Sequence, residues 1–147
     1  PVVKKGIDIL GEFGVETDVR VISAHRTPDL AVEYAKSAHL NGVELIIAAA
    51  GKAAHLAGVL AACTHIPVVG LPMKSSYNDG QDSLLSVVQM PKGVPVACVA
   101  VDGAENAAYL AVQMLSLKYP ELADRFIEHK EKMKREIALQ NDEVGGE

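Results

Sequence analysis

Three short apolar runs set the fold class of this chain. Glu44–Ala50 (ELIIAAA), Pro67–Leu71 and Val94–Val101 are apolar nearly throughout and too brief for ordinary helices. Such runs read as strands covered on both faces, the pattern of parallel sheets. A further strand, Val15–Ile22, is read from the alternation of Val15, Thr17, Val19 and Val21. Stretches of helical period lie between these runs. Pro1–Phe13 sets Val3, Ile7, Leu10 and Phe13 on one stripe and stops at Gly14. Pro28–Asn41 aligns Ala31, Tyr34, Ala35 and Ala38 and stops at Gly42. A Gly51-Lys52 turn opens a helix to Cys63, and Asp82–Gln89 reads as a short helix. Asn106–Leu117 and Pro120 to about Gln140 follow as helices, with 141–147 as a flexible tail. The alternation predicts a three-layer α/β sandwich with a parallel sheet, in one domain spanning 1–147. It also predicts a strand and loop ahead of Pro1, because the chain opens directly on a helix.

Aromatic residues make up only 4% and Trp is absent, so the core must be aliphatic. A net charge of −5 argues against non-specific nucleic-acid binding. No apolar run approaches the ~20 residues that span a bilayer, so no membrane partner is expected. Cys63 and Cys98 lie far apart without a CxxC partner. They read as buried, reduced thiols of a cytoplasmic protein, not as metal ligands. Neither GxGxxG, a P-loop, HExxH nor a GxSxG elbow is present, which removes support for dinucleotide binding, phosphoryl transfer, metalloproteolysis and serine hydrolysis.

The chemistry concentrates in Val21-Ile22-Ser23-Ala24-His25-Arg26-Thr27-Pro28. Thr27 followed by Pro28 is a helix-start signal, with Thr as cap and Pro at the first helical position. Ser23, His25 and Arg26 therefore fall in a loop at the carboxyl end of a strand, the edge where open α/β sheets bind ligands. Imidazole titrates near neutrality and can carry a proton in either direction. A guanidinium offers a planar fork for phosphate or carboxylate; the plainer reading of Arg26 is a surface salt bridge.

A second constellation is Ala48–Gly58 (AAAGKAAHLAG). Small residues here let a ligand approach the backbone at a helix start. His55 falls in that helix's first turn, where it reads as structural alone and as a site wall beside the first loop. Lys52 faces either ligand or solvent. A third is the polar loop Lys74–Gln81, either a lid or a plain connection capped by Asp82 or Ser83. His39 and His65 read as surface or packing residues. In the last helix Leu122, Phe126, His129, Met133 and Ile137 share a face that packs on its own domain or on a neighbouring subunit.

Taken together, Ser23–Pro28, Ala50–Gly58 and Asp82–Ala97 (DSLLSVVQMPKGVPVA) resemble the N5-carboxyaminoimidazole ribonucleotide mutase family. The resemblance covers nearly the whole chain. It implies a flavodoxin-like sandwich, a homo-octamer whose last helix reaches across to neighbours, a small-molecule nucleotide substrate, and neither metal nor organic cofactor. It implies that His25 is the general acid/base, that Ser23 and Arg26 bind substrate, and that Ala50, Gly51, Lys52, His55 and Leu56 shape the pocket for the base and CO2. The family carries a GSDSD-type phosphate loop ahead of its first helix, and many members have Gly where this chain has Lys52. The related direct carboxylases typically carry SAHK and AGRSN-like segments, where this chain has SAHRTP and AGKAAHL. Direct carboxylation with CO2 remains a second reading. A non-catalytic flavodoxin-like binding module remains a third.

Overall fold

The computed structural model describes residues 1–145. Its elements in chain order are α1 (Val2–Glu12), α2 (Pro28–Ser37) with a 3-10 turn (Ala38–Asn41), β1 (Ile46–Gly51), α3 (Leu56–Cys63) and β2 (Val68–Met73). A second 3-10 turn (Asn78–Gly80), α4 (Gln81–Val88), β3 (Ala97–Cys98), α5 (Ala104–Ser116) and α6 (Pro120–Gly145) complete them. The strands are parallel in the order β1-β2-β3. Ile46 lies opposite Val68 and Gly51 opposite Met73, so β1 and β2 end at one level.

Side chains of β1 alternate between two cores, as strand geometry requires. Ile46 and Ala48 join Ala31, Ala35 and Ala38 from the α2 segment, Ala57 and Leu60 from α3, and Val68 from β2. Leu45 and Ile47 turn the other way, toward Ile9, Leu10 and Phe13 of the α1 segment, Ala108, Ala111 and Val112 of α5, and Leu122 of α6. The sheet therefore lies between two helical layers. Alanines bring the helices close to the strands, which suits a core poor in aromatics. Gly70 shows how close: a Cβ built there would stand 2.2 Å from Cγ1 of Val87 on α4.

Several elements depart from the sequence reading. Val15–Ile22 has no ladder partner among the described residues, and Val19 and Val21 are 61% and 99% exposed. Period-two patterning reports which side chains could share a face, but a strand also needs a neighbour to accept its backbone bonds. The expected strand Val94–Val101 is reduced to Ala97–Cys98 in register with β2. Beyond it, Val99 N–H still donates to Gly70 O and Asp102 N–H to Pro72 O, so the chain follows β2 without a regular ladder. Residues 52–55 are not helical, and α3 starts at Leu56. In the expected tail, 141–145 continue α6 to Gly145, and 146–147 lie outside the described residues. Cys63 and Cys98 are half-buried free thiols, not fully buried ones; burial raises the Cys98 pKa. The stripe on α6 divides: Leu122 is buried and Phe126 and His129 half-buried, while Met133 and Ile137 are exposed.

Candidate active site

The carboxyl ends of the strands are where the backbone is strained. Lys52, His55, Asn78, Asp79 and Asp102 are the non-glycine residues with left-handed φ among the described residues. All five lie in the segments that follow β1, β2 and β3. A left-handed conformation at a non-glycine residue costs roughly 1–3 kcal/mol and persists only where its surroundings over-determine it. Its concentration on one sheet edge makes that edge the candidate site.

The Ser23–Thr27 loop is a closed hydrogen-bonded turn. Ser23 N–H donates to Thr27 Oγ1 at 3.0 Å, and Thr27 Oγ1 donates back to Ser23 O at 3.0 Å. Thr27 N–H also donates to Ser23 O, and Arg26 N–H donates to Ser23 Oγ at 3.1 Å. Thr27 occupies the N-cap of α2 and Pro28 its first turn, as expected, but the Thr27 hydroxyl does not cap the helix. It ties the loop instead. His25 and Arg26 project from this turn and are exposed. The Arg26 guanidinium makes no ion pair among the described residues, so the surface salt bridge weighed for it does not form.

The segment after β1 meets this turn. Ala50 and Gly51 end the strand, half-buried, paired with Pro72 and Met73. Lys52 turns the chain at φ 56° and is exposed. His55 sits one residue before α3 with φ 51°, and its carbonyl accepts the bond from Val59 N–H. Placed outside the helix, its ring reaches His25: the centroids are 6.2 Å apart with planes at 88°. Leu56, half-buried, opens α3 and packs on the core. Of the small residues in this segment, Ala50 and Ala54 are half-buried, while Ala53 is exposed.

Asp102 was not singled out by sequence. Its Oδ1 accepts from Lys74 N–H at 2.8 Å, joining the segments after β2 and β3. The Asp102-Gly103 dipeptide at a strand end is the turn signal that could have found it. His39 and His65 are exposed and pair with each other, ring centroids 4.6 Å apart, away from His25. A cavity of about 510 Å3 along α2 and one of about 390 Å3 between α5 and α6 include neither His25 nor His55. No cluster of three or more His, Cys, Asp or Glu side chains suited to a metal occurs among the described residues. No helix there is long and apolar enough to cross a membrane.

The AIR carboxylase family matches residues 1–136. The chain belongs to the AIR carboxylase family. N5-carboxyaminoimidazole ribonucleotide mutase of Thermotoga maritima is 55% identical over 137 residues, covering 93% of this chain and 80% of that protein. The same-named protein of Pyrococcus abyssi is 56% identical over 135 residues, covering 92% and 78%. The chloroplastic phosphoribosylaminoimidazole carboxylase of Vigna aconitifolia is 49% identical over 144 residues, covering 98% of this chain and 26% of that protein. A crystal structure of Treponema denticola PurE superposes with a TM-score of 0.84 at 27% identity, covering 97% of this chain and 89% of that one. Within the AIR carboxylase family, then, this chain presents a flavodoxin-like α/β fold with a long C-terminal helix. Its paired imidazoles stand at the carboxyl edge of the sheet.

Proposed function

We propose that this chain converts N5-carboxyaminoimidazole ribonucleotide to 4-carboxy-5-aminoimidazole ribonucleotide, a step of purine biosynthesis, with His25 as the general acid/base. The observation that carries the reading is His25 held on a hydrogen-bonded turn, edge-on to His55, at the strained edge of the sheet in an AIR carboxylase family member. Protonated His25 gives its proton to the exocyclic nitrogen as the N–C bond breaks and CO2 departs. C4 attacks the retained CO2 to form the new C–C bond, and neutral His25 removes the C4 proton. One imidazole thus returns to its starting state with no net change in protons. CO2 is apolar and escapes if water enters, so the small residues Ala50, Gly51 and Ala54 and the side chain of Leu56 serve retention. Ser23 and Arg26 bind substrate, the Arg26 guanidinium, which has no ion pair among the described residues, taking the phosphate. Lys52 and His55 complete the wall. The reading includes neither metal nor organic cofactor; it takes the chain as a single domain of 1–147 that assembles as a homo-octamer in the cytoplasm.

Direct carboxylation of aminoimidazole ribonucleotide by CO2 is the second reading, favoured by the 49% identity to the protein named as a carboxylase. Assay of the purified protein with each substrate separates them. Turnover of the N5-carboxy compound without added bicarbonate supports the mutase. Turnover only with aminoimidazole ribonucleotide plus CO2 reverses the assignment.

A further inference from the structure

The segment after β2 is held more tightly than a plain connection requires. Ser75 Oγ donates to Asp82 Oδ1 at 2.6 Å, and the same oxygen accepts from Ser83 N–H at 2.8 Å. Tyr77 N–H donates to Ser75 Oγ at 3.2 Å, so one hydroxyl joins the loop backbone to the first turn of α4. The Lys74 N–H is fixed from the other side by Asp102. Between these ties Asn78, Asp79 and Gly80 take positive φ in succession (40°, 53° and 101°). Gly80 lies against the loop's own start: a Cβ there would stand 3.2 Å from Lys74 Cα and 2.9 Å from Val101 Cγ1. Three left-handed residues in a row will not hold their shape unless their flanks are fixed. The bonds at Ser75 and Lys74 supply that fixing.

This loop borders the candidate site. A Cβ on Gly51 would come within 3.9 Å of Lys74 O, and Ser86 Oγ of α4 donates to Ser83 O at 2.9 Å and lies 3.4 Å from Lys52 O. α4 thus touches the Gly51–Lys52 turn and, through Asp82, the 75–80 loop.

We propose that the Ser75–Asp82 hydrogen bond positions the Lys74–Gly80 loop as a wall of the substrate site, with Ser75 and Asp82 acting as positioning residues that do not touch the reacting atoms. The Asp82 carboxylate, held below its usual pKa chiefly by the Ser75 hydroxyl, accepts as an anion at neutral pH. A hydroxyl–carboxylate bond is among the stronger neutral-to-charged hydrogen bonds, and its loss lets the strained loop relax away. The inference rests on the mutase reading.

The test is steady-state kinetics on wild type, Ser75→Ala and Ser75→Thr with the N5-carboxy substrate, alongside thermal melting. Ser75→Ala should raise KM by about tenfold, the scale of losing one hydrogen bond to a charged group, with kcat within ~2-fold, the signature of lost uniform binding. Ser75→Thr keeps the hydroxyl and should return KM to within ~2-fold of wild type. Wild-type KM in Ser75→Ala overturns the inference alone, whatever happens to melting. Equal KM defects in Ala and Thr variants overturn it too, since the hydroxyl is then not the cause. A wild-type protein without turnover on the N5-carboxy substrate overturns the mutase reading, and the inference falls with it.

Discussion

The rings of His25 and His55 meet edge to face, 6.2 Å apart between centroids. The contact depends on His55 lying outside α3 at φ 51°. A residue that tolerates the left-handed region should keep the backbone, and a β-branched one should not. His55→Asn should leave the melting temperature near wild type while lowering kcat/KM by about tenfold, ~1.4 kcal/mol of transition-state stabilisation. His55→Val should also lose stability, by about 1–3 kcal/mol. Denaturant titration of both variants checks the contrast. Equal stability would remove the strain argument.

Gly70 faces Val87 across the β2–α4 contact with no room for a methyl group. Gly70→Ala should lower stability by about 1–3 kcal/mol through overpacking. Adding Val87→Ala should recover part of that loss, because the two sites share one space. Urea unfolding of the single and double variants measures the coupling. Additive losses would contradict the packing described.

Glu44 sits just before β1 and accepts from Lys118 Nζ and from Tyr119 Oη, the latter at 2.7 Å, tying the strand to the α5–α6 junction. These donors, Lys118 first and Tyr119 second, lower its pKa. A carboxyl whose pKa is lower when folded contributes its stability above the ordinary carboxylate range. It loses that contribution as pH falls through the depressed folded value. Glu44→Gln should therefore lower the melting temperature at neutral pH and leave a smaller drop between neutral and acidic pH than wild type shows. Melting curves across that range check the sign. A parallel shift at every pH would contradict it.

Met133 and Ile137 are exposed on the same stripe that carries Leu122, Phe126 and His129 into the second core. In the proposed homo-octamer this outer part of α6 would dock on a neighbouring subunit. Ile137→Glu should lower the mass measured by light scattering and leave the far-ultraviolet circular dichroism of the chain intact. An unchanged octamer would place the interface elsewhere.

Much of this arrangement was legible in the residues, for reasons that also mark its limit. The helical stripes of α1, α2 and α6 could be read because each buries a face, and face selection leaves a period in sequence. Val15–Ile22 carried an equally regular period but lacks a ladder, because pairing depends on a second segment that its own residues do not encode. The Ser23–Thr27 turn was found from Thr27-Pro28, although the Thr27 hydroxyl bonds back to Ser23. His55 was placed one turn too far into its helix, since nothing local in AGKAAHL announces two left-handed residues. Those residues are set by contacts from elsewhere, such as the approach of Ser86 to the Lys52 carbonyl. Asp102-Gly103 marks a turn locally, but the bond that ties Asp102 to the site edge comes from Lys74, 28 positions away.

The central claim is that His25 moves the proton. Turnover of the N5-carboxy substrate by His25→Asn, measured beside wild type on proteins of equal melting temperature and oligomeric mass, tests it most directly. The account predicts a loss in kcat of at least ~10²–10⁴-fold, the contribution of a positioned general acid/base. Activity within a few-fold of wild type in a folded His25→Asn protein would contradict it.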